Sequence, residues 1–299
     1  MRVFVTGATG FIGSAVVREL VEAGHQVVGL ARSDKSAEAL KVAGVEVHRG
    51  SLDDLDSLRS GVAAADGVIH LAFKHDFSDY QGAVASDLRA VEAMGEVLNG
   101  SGKPFVVTSG TLMLAFALPR GQVGTENVRV DAAVPRAGAE NVVAALVKRG
   151  VRSSVVRLAP SVHGETKAGF VSMLIDIARE KGISAYVGDG ANRWPAVHYL
   201  DAARLFRLAL ESAPAGAVLH GVGDEGVPLR DIARVIGQHL NLPVVSISGE
   251  EANDHFGFFG PFVSADNPTS SALTQQQLGW RPVHASLISA LEEGHYFHG

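Results

Sequence analysis

Three glycines recur at three-residue spacing in Thr6-Gly7-Ala8-Thr9-Gly10-Phe11-Ile12-Gly13. The run follows a short apolar segment, Arg2–Thr6, and opens a helical pattern. In that setting each glycine has its own task. Gly7 permits a tight turn, Gly10 lets a diphosphate approach the backbone, and Gly13 lets the helix pack closely on the sheet. Free N–H groups at the helix start, aided by its partial positive charge, would hold the phosphates, with Thr9, Phe11 and Ile12 completing the cradle. This is the chemistry of dinucleotide binding; a glycine turn without a ligand is the plain alternative.

The second apolar run ends Leu30-Ala31-Arg32-Ser33. An acid there would hold a ribose 2′-hydroxyl. Arg32, with Lys35 nearby, suits a 2′-phosphate instead, through charge-assisted bonds worth about 1.5–3 kcal/mol. NADP is therefore the expected coenzyme, with NAD open, because Asp34 opposes the phosphate and a solvated arginine needs no ligand. Lys74-His75-Asp76 follows the fourth apolar run, at the edge where such sheets bind ligands. His75 titrates near neutrality and could donate a proton. His163, Tyr80, Tyr186 and Tyr199 are further donors that loops could bring to a pocket, each with a packing or surface role as its alternative. His295 and His298 read as a solvated tail, and no metal site is expected.

The elements that must position these groups alternate through the first two thirds of the chain. Arg2–Thr6, Gln26–Ala31, Val45–His48, Gly67–Leu71, Pro104–Thr108 and Ser153–Leu158 read as strands, most of them apolar almost throughout. Phe11–Ala23, Lys35–Val42, Leu52–Ser60, Val84–Asn99 and Arg136–Arg149 read as helices. The pattern predicts an α/β fold, a doubly wound parallel sheet of the Rossmann type, with a smaller C-terminal substrate lobe. Residues 1–165 form the dinucleotide-binding part, to which 198–225 return with a helix over Asp201–Glu211 and a strand over Ala217–Gly221. Residues 166–197 and 226–299 form the lobe, with helices over Phe170–Lys181 and Pro228–Leu240. The 121–135 stretch reads as a surface loop.

The chain has 299 residues, 46% apolar and 19% charged, enough for a sizeable core. Its formal charge of −6 argues against nucleic acid or an anionic membrane as a partner. Without cysteine, disulfides, thiolate zinc sites, iron–sulfur clusters and thiol nucleophiles are excluded. Leu112–Leu118, one of the longest apolar runs, falls far short of the ~18 residues of a membrane span. The first residues are too short for a secretory segment, so a cytoplasmic protein with a small-molecule substrate is expected.

The glycine spacing, preceded by Thr6, resembles the extended branch of the short-chain dehydrogenase/reductase superfamily, the NAD-dependent epimerase/dehydratase-like proteins. Asp66-Gly67-Val68-Ile69-His70-Leu71-Ala72 is similar to that family's fourth strand. Val107-Thr108-Ser109 is similar to the end of its fifth, and Arg157-Leu158-Ala159-Pro160-Ser161-Val162-His163-Gly164 to its sixth and the following loop. Val197–Ala203 and Leu278-Gly279-Trp280-Arg281-Pro282 resemble two later segments. The resemblance implies a nicotinamide dinucleotide. It also implies coenzyme contacts from Ser33, Ser51 and Leu52 (Ser51 replacing the usual acid), from Leu71, Ala72 and Phe73, and from Pro160 and Val162.

The resemblance breaks at the catalytic pair. Relatives carry Tyr and, four residues later, Lys. Family spacing counted from Glu140 puts Ala132 and Arg136 there, and no tyrosine lies between Tyr80 and Tyr186. Arg136 could bind the nicotinamide ribose and supply charge but cannot carry the proton. Ser109 and Thr111 flank the slot, now Gly110, where relatives place a hydroxyl on the substrate oxygen. General acid catalysis contributes about 10²–10⁴-fold, so another donor, a substrate needing none, or no catalysis is implied. The leading reading is an atypical NADP-dependent oxidoreductase. A non-catalytic NADP(H) redox sensor and a nucleotide-sugar epimerase or dehydratase remain alternatives. Asp87 on the Val84–Asn99 helix reads as structural. Val143 and Val147 could face either the sheet or a homodimer partner. Phe256, Phe258, Phe259 and Phe262 would form a lid or pack the lobe.

Overall fold

The computed structural model describes residues 1–75, 78–131, 133–166 and 168–297. Asp76, Ala132 and His298, named above, lie outside them. The strands are β1 (Arg2–Thr6), β2 (Gln26–Ala31), β3 (Glu46–Arg49), β4 (Gly67–His70), β5 (Pro104–Gly110), β6 (Arg152–Leu158), β7 (Ser161–His163), β8 (Ser184–Val187), β9 (Arg193–His198), β10 (Val218–Gly221), β11 (Asp224–Pro228) and β12 (Val244–Ile247). The central sheet has seven parallel strands in the order β10-β6-β5-β4-β1-β2-β3. Chain direction across the sheet reverses between β1 and β4, which opens the crevice where ligands bind in such folds. Thr6 and His70 are register partners at that point.

The α-helices of the described residues are α1 (Phe11–Glu22), α2 (Asp34–Val42), α3 (Leu55–Ala63), α4 (Tyr80–Val97), α5 (Leu114–Ala117), α6 (Ala137–Val147), α7 (Gly169–Lys181), α8 (Tyr199–Ser212), α9 (Leu229–Leu240), α10 (Ala252–Phe256), α11 (Gly260–Ser264), α12 (Ala272–Leu278) and α13 (Leu287–Glu292). Alternation along the strands builds two cores. Val3 and Val5 point to a face covered by α1 and α8, through Val16, Leu20, Leu205 and Phe206. Phe4, Val68 and Phe105 point to the other, covered by α3, α4 and α6. A third cluster joins Ile175, Trp194, Ile232, Phe259 and Tyr296 beyond the sheet.

Several boundaries differ from the sequence reading, and two differences matter. Helix α4 begins at Tyr80 rather than Val84, because Asp79 caps it by accepting the Gly82 N–H. Helix α6 begins at Ala137, and Arg136 precedes it in the left-handed region at φ +70. The 121–135 stretch is not a free surface loop. Glu126 is 5% exposed and accepts from the backbone and hydroxyl of Thr274, while Gly124 bridges Thr269. Val143 is buried in the sheet-facing core, and the exposed positions of α6 are Asn141, Ala144 and Ala145. Of the phenylalanines, Phe256 and Phe259 pack the third core, Phe258 is exposed, and Phe262 is half-buried. The C-terminal segment is not simply solvated: Tyr296 is buried, and its hydroxyl accepts the Gly164 N–H. No helix among the described residues is long and apolar enough to cross a membrane.

Candidate active site

Helices α2, α3 and α4 begin on side-chain caps from Ser33, Asp54 and Asp79. Helix α1, at the crevice, begins on Gly10 with no side-chain cap and no acid in its first turn. A cap is worth about 1 kcal/mol, so α1 forgoes that and keeps its first N–H groups, at Phe11, Ile12 and Gly13, directed at the crevice. The glycines keep the cradle open. Gly7 lies at φ +70, and a Cβ there would meet Ala72 N at 2.8 Å. A Cβ at Gly13 would stand 1.9 Å from the Gly7 carbonyl oxygen. Gly13 thus lets the helix close on the turn itself, rather than on the sheet.

Around the cradle, Arg32 and Lys35 are exposed. Asp34, which would oppose a 2′-phosphate, is instead paired with Arg49 at 2.5 Å. The Ser33 hydroxyl is committed to the α2 cap with Ser36. Ser51 accepts the Asp53 N–H, and Asp53 pairs with Lys74 at 2.6 Å, an ion pair that pulls its carboxyl below the usual carboxylate range. Leu52, Leu71, Ala72, Phe73 and Pro160 are half-buried and Val162 is buried.

A buried polar chain runs from the glycine turn to Arg136. Thr6 Oγ1 accepts the N–H groups of Leu71 and Ala72, each at 3.2 Å, and so fills its two lone pairs. It must therefore donate to His70 Nδ1, at 2.7 Å. His70 carries its proton on Nε2 and gives it to Asp87 Oδ1 at 3.1 Å. The other Asp87 oxygen lies 3.8 Å from Arg136 Nη2, which donates to the Thr108 carbonyl at 3.1 Å. Asp87 is 2% exposed. The sequence reading made it merely structural; an acid on the apolar face formed by Ala83, Ala90 and Val91 was the available signal. The Arg136 guanidinium also lies over the Phe73 ring, 4.2 Å from its centroid.

Two polar atoms at this corner are buried without a partner among the described residues: Ser109 Oγ and Arg136 Nε. Buried donors rarely go unpaired, and these lie beside the crevice that the α1 amides face. The donors fit the diphosphate and ribose of a dinucleotide. Thr111 differs from Ser109: it is fully buried, and its hydroxyl accepts from Asn267 at 3.2 Å. His75 stands edge-on to Phe73, 5.5 Å between ring centres. Burial of the ring and the Arg136 charge push its pKa down. His163 is not a donor. It is 1% exposed, and burial, with His198 adding to it, drives its pKa to about 3. Tyr199 stacks on Phe11 at 5.0 Å and donates to Glu165. Tyr186 lies on β8 against Gly190. Phe116, on α5 and 54% exposed, meets Phe262 of α11 edge-on at 6.2 Å.

The sequence profile of the NAD dependent epimerase/dehydratase family matches residues 3–220. An uncharacterised protein of Schizosaccharomyces pombe is 52% identical over 298 residues, covering 99% of this chain and all of that one. The 2-alkyl-3-oxoalkanoate reductase of Stenotrophomonas maltophilia is 28% identical, covering 82% of this chain and 77% of its own. Among solved structures, a double mutant of dTDP-glucose 4,6-dehydratase from Streptomyces venezuelae with NAD bound superposes with a TM-score of 0.77 at 18% identity, covering 99% and 96% of the two chains.

Proposed function

The chain belongs to the NAD-dependent epimerase/dehydratase family, and from that premise we propose an NADP-dependent oxidoreductase that interconverts a small carbonyl compound and its alcohol. The observation that carries the reading is the pairing of an uncapped α1 with the unpartnered Ser109 hydroxyl and Arg136 Nε at the same crevice. When bound, the nicotinamide supplies or accepts a hydride. The α1 amides hold the diphosphate, and Arg32 with Lys35 holds the 2′-phosphate, Asp34 being neutralised by Arg49. Arg136 binds the nicotinamide ribose, held in place by Asp87 and the Thr108 carbonyl. Ser109 donates to the substrate oxygen and orients it.

The substrate sits under residues 166–197 and 226–299, which we take as the covering lobe, against residues 1–165 and 198–225. We take the apolar pair Phe116 and Phe262, edge-on to each other between α5 and α11, as favouring an apolar carbonyl over a sugar nucleotide. The Stenotrophomonas relative, a reductase by name, supports that direction. Calorimetry with NADPH and NADH, followed by turnover on a panel of small ketones and aldehydes, tests the reading. Tighter binding of NADPH and measurable ketone reduction are expected. Coenzyme binding without turnover on any carbonyl would favour a redox sensor, and no binding of either coenzyme would overturn the assignment.

A further inference from the structure

Ketone reduction needs a proton as well as a hydride, and this chain carries Ala132 where its relatives have the donor tyrosine. A phenol reaches the same corner from another element. Phe73, in the loop after β4, is the hub. Arg136 lies over its ring at 4.2 Å, and the Tyr80 ring centre is 6.4 Å away. Tyr80 is the first residue of α4, and Asp87 stands seven residues on. That spacing is two helical turns, so the phenol and the carboxylate that holds Arg136 share one face of α4. The Tyr80 hydroxyl has no hydrogen-bond partner among the described residues, and its side chain is half-buried, with a route to solvent.

We propose that Tyr80 is the proton donor, working with Arg136 across the Phe73 ring in place of the missing tyrosine–lysine pair. The proposal rests on the oxidoreductase reading above. As the carbonyl carbon accepts the hydride, its π pair moves to oxygen, and that oxygen takes the phenolic proton. The products are the alcohol and a Tyr80 phenolate, which the Arg136 cation stabilises until solvent returns the proton. In the reverse direction the phenolate takes the hydroxyl proton as hydride leaves. The resting charges suit the role. Burial raises the Tyr80 pKa, Arg136 opposes that rise, and Asp87 adds to it, so the phenol stays protonated at neutral pH. His75, edge-on to Phe73, has its pKa pushed down by burial and by Arg136, which makes it a weaker holder of a proton than a free imidazole. Arg136 itself holds its proton too tightly to be a donor.

Tyr80→Phe removes one oxygen and keeps the ring. Under saturating NADPH, on the carbonyl compound the wild type turns over best, it is expected to lower kcat by about 10²–10⁴-fold, with KM and the NADPH Kd changed by less than about threefold. A packing role would move KM and Kd instead. A second readout needs no turnover. The phenolate absorbance of wild type minus that of Tyr80→Phe, followed through alkaline pH, gives the titration of this one phenol. Its midpoint should rise in Arg136→Met and return in Arg136→Lys. Retention of kcat within about threefold in Tyr80→Phe, or a midpoint indifferent to Arg136→Met, overturns the proposal while leaving the coenzyme reading intact. A wild-type chain that binds NADPH but reduces no carbonyl overturns this proposal together with the oxidoreductase reading it rests on, and leaves coenzyme binding standing.

Discussion

Arg157 and Arg136 are both arginines within the protein, and they are held in opposite ways. Arg157 is fully buried, bidentate to Glu140 at 2.9 and 2.6 Å, and donates a third bond to the Val128 carbonyl at 3.1 Å. Arg136 keeps its carboxylate at 3.8 Å, leaves Nε unpaired among the described residues, and stands over the Phe73 ring. The first ties β6 to the 121–135 stretch and has nothing left to offer a ligand. The second is incompletely satisfied and faces the crevice. Saturation marks a charge used for structure, and incompleteness marks one kept for binding.

The largest effect should come from breaking the saturated arginine. Arg157→Met leaves Glu140 without its buried partner and is expected to cost about 3–5 kcal/mol of stability, read by urea unfolding. Arg136→Met should cost less, about 1–3 kcal/mol, because Asp87 keeps the His70 N–H. Equal losses would erase the distinction. Arg32, exposed and without a carboxylate partner among the described residues, extends the series to its free end. Arg32→Ala should weaken NADPH by about 1.5–3 kcal/mol, ten- to a hundredfold by calorimetry, and leave NADH nearly unchanged.

The same contrast exists between histidines. His70 uses both ring nitrogens, whereas His163 Nδ1 has no partner among the described residues. The folded pKa of His163, about 3, lies below its unfolded value near 6.5, so the unfolded chain binds the extra proton. Its contribution is fully present above about pH 6.5 and falls by about 1.4 kcal/mol per unit as pH drops toward 3. Between pH 7 and 5, His163→Gln should therefore lose about 2 kcal/mol less stability than wild type, measured by urea unfolding at both values. The smallest effect belongs to Arg49→Met. Releasing Asp34 beside the 2′-phosphate should weaken NADPH by under about 1 kcal/mol, and less at high salt.

The sheet was legible because its strands are apolar and its turns carry glycine, both local signals. The strand at Ala217–Gly221 was found that way, and it closes the sheet beside β6. The glycine cradle was legible for the same reason, although the neighbour of Gly13 was not. What escaped is long-range. The fit of Thr6 to His70 and Asp87 spans β1, β4 and α4, and no period in the sequence reports it. The burial of Glu126 depends on Thr274, 148 residues away. Helix α4 starts a turn before its apolar pattern does, because Asp79 caps it. The cap puts Tyr80 on the helix and not on a loop, where helix geometry fixes its position relative to Asp87.

The left-handed backbone at Arg136 has a consequence for redesign. Arg136 is the N-cap residue of α6, so its guanidinium leaves the chain before the first helical turn, ahead of the exposed positions Asn141, Ala144 and Ala145. Those exposed positions can be recoloured or grafted onto a binding partner without touching the residues that hold the cation. Forcing Arg136 out of the left-handed region, by contrast, would swing it away from the ring it covers.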